Sequence, residues 1–171
     1  MIQSTTAASI GTLMKRYAYY NAWANRKYVN WLENKESELF ERDVPSSFSS
    51  LKTTLLHIWE TERFWLSVLQ QRPFPKPLRD GFDGTLNDIF GGIVLHSDVF
   101  AEYVNTLSDE QILENVSLVT PWAQGTRPRF DFIQHCMNHS TYHRGQIVTI
   151  GRNLEITDAP MTDYNYFLMM P

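Results

Sequence analysis

Three histidines follow one another at intervals of four residues in the stretch HCMNHSTYHRGQ. They are His135, His139 and His143. In an α-helix, residues four apart lie about 40° apart around the axis and project from one face. His139 and His143 share that face with apolar residues, so we expect their rings to point toward the protein interior. Two imidazoles at this spacing can bind one metal ion, which also removes the cost of burying two unpaired rings.

A third imidazole comes from an earlier helical pattern. His57 lies on the apolar face of the segment 51–69, and facing helices of a bundle approach to about 8–10 Å. We therefore predict a metal site formed by His57, His139 and His143. Three neutral imidazoles suit zinc or nickel and leave a coordination position open. A divalent ion there would lower the pKa of a bound water or thiol, as catalytic sites require.

Other reactive side chains lie close to these positions in the helical pattern. Glu60 is interpreted as a general base, as an acceptor from a ligand imidazole, or as a solvated carboxylate at the helix edge. Gln146 is expected to orient a ligand or the reacting water. His96 is interpreted first as a packed histidine and second as a fourth ligand or a proton carrier. His135 is interpreted as a residue that hydrogen-bonds a ligand, or that replaces one if the helix register differs. Cys136 is expected to be a packed thiol rather than a nucleophile.

Four amphipathic patterns must position these residues. They cover about 8–34, 51–69, 86–107 and 130–154. The connection 72–84 contains three prolines and two glycines. The connection 108–129 loses helical periodicity and is predicted to form a short helical turn and a small hairpin. The pattern predicts an all-α, antiparallel four-helix bundle over a single domain, 1–171, with sites between facing helices.

Three further features carry structural expectations. Asn21 falls on the inward face of the first helix, so its amide must find a buried partner. Arg144 points away from the histidine face and is expected to pair elsewhere. The C-terminal segment DYNYFLMMP is rich in aromatic residues and methionine, and we expect it to pack against the bundle.

Composition and charge exclude several classes of protein. The 171 residues are 43% hydrophobic and 20% charged, with only 8 glycines and 8 prolines, unlike disordered or collagen-like chains. The formal net charge of −4 and the lack of a basic run argue against a nucleic-acid partner. The motifs of metalloproteases, phosphate-binding loops and serine hydrolases are absent.

Cysteine content and hydropathy bear on where the protein works. The single cysteine cannot form an intramolecular disulfide, which fits a reducing compartment. No stretch approaches the roughly 18 apolar residues of a membrane span, and no secretory signal is recognised. These observations predict a soluble, cytoplasmic protein with no membrane partner.

Three segments together resemble the DinB/YfiT-like family: NHSTYHRGQI in the last helix, LLHIWETERFW in the second and YNAWANRKYVNWL in the first. The name denotes a family of helical bundles and not the DNA polymerase that shares it. The resemblance implies a bundle of up-down-down-up topology and a homodimer. It also implies a divalent metal held by one histidine of the second helix and two of the last, which correspond to His57, His139 and His143.

The activity implied by this resemblance is that of a metal-dependent thiol S-transferase or hydrolase. Characterised relatives use bacillithiol, mycothiol or glutathione, so a low-molecular-weight thiol is the expected co-substrate. Two alternatives stay open. One is a non-catalytic metal-binding or small-molecule-binding protein with a fourth protein ligand from His96, His135 or Glu60. The other is a structural dimeric bundle, in which the histidines hydrogen-bond within the core and exposed aromatics mediate dimerisation.

Overall fold

Four long helices form the framework of the computed structural model, which describes residues 8–79 and 81–170. They are α1 (Ile10–Leu32), α2 (Leu51–Leu69), α3 (Leu86–Thr106) and α5 (Arg129–Asn153). Capping side chains fix three of the starts, because Ser9, Ser50 and Thr85 each accept a hydrogen bond from a backbone N–H of the first turn. The predicted helices are confirmed, with ends displaced by two residues at most.

Two apolar clusters show the direction of each helix. One cluster contains the first half of α1, the ends of α2 and α3 and the start of α5, as in Ala18, Leu69, Val104 and Ile133. The other contains the opposite ends of the same helices, as in Leu32, Leu51, Ile89 and Ile150. Helices α1 and α5 therefore run one way and α2 and α3 the other. This arrangement confirms the up-down-down-up topology.

The neighbours of each helix follow from this topology. Helix α1 packs against α3 and α5, and α2 packs against the same two helices, so α1 and α2 lie across the diagonal of the bundle. Because α3 runs parallel to α2, the chain must return along the bundle between them, and the connection 70–85 does so. The neighbouring positions of α2 and α5 bring His57 within reach of the histidines of α5.

The second connection contains the predicted short helix and hairpin. Helix α4 (Asp109–Leu113) is followed by β1 (Asn115–Val119) and β2 (Gln124–Pro128), which pair antiparallel. The final helix, α6 (Tyr164–Leu168), covers α1 with aromatic contacts: the ring of Tyr164 is centred 5.0 Å from that of Tyr20. The expectation that the C-terminal segment packs against the bundle is confirmed. No helix of the described ranges is long and apolar enough to cross a membrane.

A buried polar layer separates the two apolar clusters. Glu62 of α2 is fully buried and accepts hydrogen bonds from Asn21 (2.6 Å) and Asn25 (2.8 Å) of α1 and from Ser97 (2.7 Å) of α3. Arg144 of α5 donates to the side-chain oxygens of both asparagines, at 2.6 and 2.8 Å. The expected partner of Asn21 and the separate pairing of Arg144 are both confirmed. Burial raises the pKa of Glu62.

Candidate metal centre

The three predicted histidines converge between α2 and α5. The Nε2 atom of His139 lies 3.2 Å from Nε2 of His57 and 3.1 Å from Nε2 of His143. One potential ligand atom from each ring lies within 4.8 Å of the other two. His143 is buried, and the other two rings are half-buried. The spacing of four residues on α5 and the facing position on α2 thus bring together the three residues predicted from the sequence.

The hydrogen bond at Nδ1 of His143 determines whether Nε2 of the same ring can bind a metal. Its Nδ1 lies 2.6 Å from Oε1 of Gln146. An amide oxygen only accepts hydrogen bonds, so Nδ1 carries the proton and Nε2 presents a lone pair to the cluster. Gln146 is itself held by a hydrogen bond from its Nε2 to Oγ of Ser47, at 2.9 Å. The side chain of Gln146 therefore sets the tautomer and the orientation of the ring.

Glu60 lies beside the cluster but is bound to another residue. Its Oε1 is 3.9 Å from Nδ1 of His57, beyond hydrogen-bond distance. The carboxylate instead pairs with Nε of Arg79 at 3.1 Å and accepts from the backbone N–H of the same residue. Within the described ranges, the Nδ1 atoms of His57 and His139 are buried and have no hydrogen-bond partner.

Burial keeps the three rings neutral. The pKa of His57 is lowered to about 3 and that of His139 to about 4. Burial is the largest cause of both shifts, and the neighbouring histidines add to them. Burial also lowers the pKa of His143, although the hydrogen bond with Gln146 opposes that shift. At neutral pH all three imidazoles are therefore in the form that binds metal.

The residues present fit a divalent cation. Adjacent ring nitrogens only 3.1 and 3.2 Å apart repel each other through their lone pairs unless a proton or a cation lies between them. A shared cation satisfies all three nitrogens at once, and neutral imidazole is a preferred ligand of zinc and nickel. Among the residues that the structure describes, no fourth histidine, cysteine or acidic side chain joins this group.

A cleft of about 680 Å³ opens beside the cluster. His57 and His139 form part of its lining, together with Glu60 and Arg79. Most of the remaining wall is apolar and aromatic, from α2, the connection 70–85 and the hairpin: Phe64, Trp65, Phe74, Pro75, Pro77, Leu118 and Trp122. A small molecule in this cleft would therefore reach the histidine nitrogens from an apolar, partly enclosed space.

The two remaining histidines lie outside the group. His135 lines the cleft. The centre of its ring lies 4.5 Å from the ring centre of Trp65 and 6.0 Å from that of His139. His96 lies in a separate groove between α2 and α3 with Arg63, and burial lowers its pKa to about 4. Cys136 is fully buried, which raises its pKa well above the usual value, so the predicted packed thiol is confirmed.

Several neighbours of the site were not anticipated from the sequence. Phe48, in the loop before α2, stacks on His57 with ring centres 4.2 Å apart. Arg79, Phe74 and Trp122 reach the cleft from irregular connections. Helical periodicity cannot place residues in such segments. The one signal they carry is an aromatic or basic side chain among turn-forming residues, as at Trp122 in PWAQG.

Known proteins resemble this chain over most of its length. The family model described as the DinB family matches residues 1–170. Protein DinB of Bacillus subtilis (strain 168) is 26% identical over 157 residues, which cover 88% of this chain and 91% of the relative. A crystal structure of a DinB-like protein from Bacillus subtilis superposes with a TM-score of 0.64 at 14% identity, covering 88% of this chain and 98% of that chain. That likeness shows the shared fold, and the match of the family model over nearly the whole sequence shows that the chain belongs to the DinB family.

Proposed function

We propose that this protein is a divalent-metal-dependent enzyme of the thiol S-transferase or hydrolase type, with zinc or nickel held by His57, His139 and His143. The observation that carries the proposal is the convergence of three neutral ring nitrogens at the edge of an accessible cleft. Metal ions that serve only structure are enclosed by four protein ligands, whereas catalytic ions keep one position open. The three-residue group supports the second kind of site.

An ion held by His57, His139 and His143 would lower the pKa of a bound thiol or water, so that a nucleophile would exist at neutral pH. The side chains of the protein orient the ligand ring, shape the cleft and accept a proton. Gln146 holds the ring of His143 with its lone pair toward the cluster. A substrate packed on the apolar wall would exclude bulk water from the nucleophile. Arg79 holds the carboxylate of Glu60 beside His57, where its Oε1 can take the proton of the incoming thiol or water.

In the transferase reaction the sulfur of a low-molecular-weight thiol forms a bond to an electrophilic carbon while that carbon loses its leaving group. The proton of the thiol passes to Glu60, and the leaving group departs with the electron pair of the broken bond. In the hydrolase reaction water replaces the thiol.

We also propose a homodimer in the cytoplasm, where such thiols are present.

Transfer and hydrolysis can be tested on one preparation. The protein is assayed with glutathione, mycothiol and bacillithiol against 1-chloro-2,4-dinitrobenzene, and with water against 4-nitrophenyl acetate. We expect one of these rates to fall to the uncatalysed level after chelation and to return with zinc or nickel. The variant His143→Ala should not recover, whereas His96→Gln, a histidine outside the cluster, should recover fully. Equal rates in chelated and metal-loaded protein for every substrate would contradict the proposal.

A non-catalytic metal-binding protein is the second candidate. It requires a fourth protein ligand that closes the site. His96 lies in another groove, and the carboxylate of Glu60 is held by Arg79. The ring centre of His135 is 6.0 Å from that of His139. These placements favour the open site over the closed one.

A further inference from the structure

Three aromatic side chains from three different segments meet at the cleft beside the histidines. Phe64 comes from α2, Phe74 from the connection 70–85, and Trp122 from the turn of the hairpin. The ring of Phe64 is centred 4.8 Å from that of Phe74 and 5.8 Å from that of Trp122. Both contacts are tilted. The three rings therefore form one continuous aromatic wall.

Two of these rings are more exposed than their size would suggest. Phe74 is 45% exposed and Trp122 is 67% exposed, although both line the cleft. Large exposed aromatic surfaces that adjoin a cavity mark ligand-binding sites, because a bound apolar molecule removes them from water. Flat molecules gain further from stacking or edge contacts with such rings. The wall is therefore suited to a flat, apolar occupant.

The charges around the cleft bear on the charge of the occupant. Glu60 and Arg79 pair with each other at 3.1 Å, so neither is left to attract an ion. Among the described residues of the lining, no unpaired Lys, Arg, Asp or Glu remains. A charged ligand packed against this wall would lose its hydration without gaining a counter-ion from any side chain of the lining.

We propose that the substrate of this cleft is a neutral aromatic molecule, held by Phe64, Phe74 and Trp122 with its reactive atom toward His57 and His139. The inference names the substrate class of the proposed enzyme. The claim that the bound molecule reacts rests on that proposed function. Binding itself depends only on the wall. It can therefore be measured whether or not a metal is bound.

The test compares two probes with the same carbon skeleton, one flat and aromatic and the other saturated and puckered. Calorimetry measures binding of 2-naphthalenemethanol and of its saturated counterpart, decahydro-2-naphthalenemethanol, to chelated protein and to metal-loaded protein. The saturated probe is at least as apolar, so simple hydrophobic burial predicts equal or tighter binding for it. Aromatic contacts predict the reverse. We expect one naphthyl molecule per chain, bound about 5-fold or more tightly than the saturated probe.

Variants of the wall complete the test. Trp122→Ala and Phe74→Ala remove exposed rings and should leave the melting temperature unchanged, while each weakens naphthyl binding by about 3-fold to 10-fold. Tyr166→Ala removes a comparably exposed aromatic from α6 and should bind as the wild type does. The proposal is overturned if the saturated probe binds as tightly, if both wall variants bind normally, or if neither probe binds at millimolar concentration.

The same measurements separate this inference from the proposed function. Selective naphthyl binding to a protein that takes up no metal would leave the aromatic wall in place and refute the metal-dependent enzyme. Stoichiometric metal binding without selective naphthyl binding would leave the metal-dependent enzyme in place and refute the aromatic wall as the substrate site.

Discussion

The hydrogen bond between Nδ1 of His143 and Oε1 of Gln146 leaves the lone pair of Nε2 free to bind a metal. Without it, either nitrogen of the ring could carry the proton. Partners of this kind behind a metal-binding histidine raise its basicity and hold its plane. Gln146 follows His143 by one helical turn, so its contact was predictable from spacing. Its own support from Ser47 was not, because Ser47 lies in the loop before α2.

Replacement of Gln146 should therefore weaken the metal site. We expect Gln146→Leu to lower the affinity for zinc by about 10-fold to 100-fold, because the proton on Nδ1 loses its acceptor. Gln146→Glu keeps an acceptor oxygen and should bind zinc at least as tightly as the wild type. Competition with a chromophoric chelator measures both affinities. Unchanged affinity in Gln146→Leu would show that the ring is oriented by something else.

His96 predicts a pH dependence of stability that is separate from the metal site. Its pKa is lowered from 6.5 to about 4, first by burial and second by Arg63. The unfolded chain therefore takes up a proton at a higher pH than the folded chain does. The resulting loss of stability begins as the pH falls below 6.5 and is complete near 4.

We expect the free energy of unfolding of the wild type to decrease more between pH 7 and pH 5 than that of His96→Gln, which cannot titrate in this range. Urea unfolding of both proteins, each free of metal, measures the difference. The histidine cluster is present in both and cancels in the comparison. Parallel pH profiles would refute the depressed pKa of His96.

At the scale of elements, the helices and the inward position of Asn21 were predictable, and the buried carboxylate that Asn21 binds was not. Helix α2 begins after the serine cap at Ser50 and ends before a proline-rich connection, and both signals are local. The burial of Glu62 is different, because it depends on Asn25 and Ser97 from two other helices. The sequence places Glu62 among charged residues of α2, where a solvated helix edge is the simpler interpretation.

The polar layer should be costly to break. We expect Glu62→Leu to reduce the free energy of unfolding by about 3 to 5 kcal/mol, since it leaves the asparagine amides buried without their acceptor and the guanidinium of Arg144 buried without the nearby negative charge. Glu62→Gln retains one acceptor oxygen and should lose less. Glu33→Leu, at an exposed position just beyond α1, is the matched control and should lose little. Urea unfolding measures all three, and a loss below about 1 kcal/mol in Glu62→Leu would contradict the role of the layer.

At the scale of the whole molecule, the topology determines the site. His57 and His139 are 82 positions apart, and they meet because α2 and α5 are neighbours that run in opposite directions. The bundle and the three-histidine group were both predictable, since they follow from periodicity and from the facing of helices. The cleft was not, because Phe74, Arg79 and Trp122 belong to connections without a repeating pattern. Only the packed bundle defines where those connections lie.

The most direct test of the account is the metal content of untagged protein, measured by mass spectrometry beside His57→Ala and His143→Ala. His96→Gln is the control for loss of a histidine outside the cluster. The account predicts close to one divalent ion per chain in the wild type and in the control, and almost none in the two ligand variants. Folded, metal-supplemented wild type without metal, or full occupancy in His57→Ala and His143→Ala, would contradict the three-histidine site.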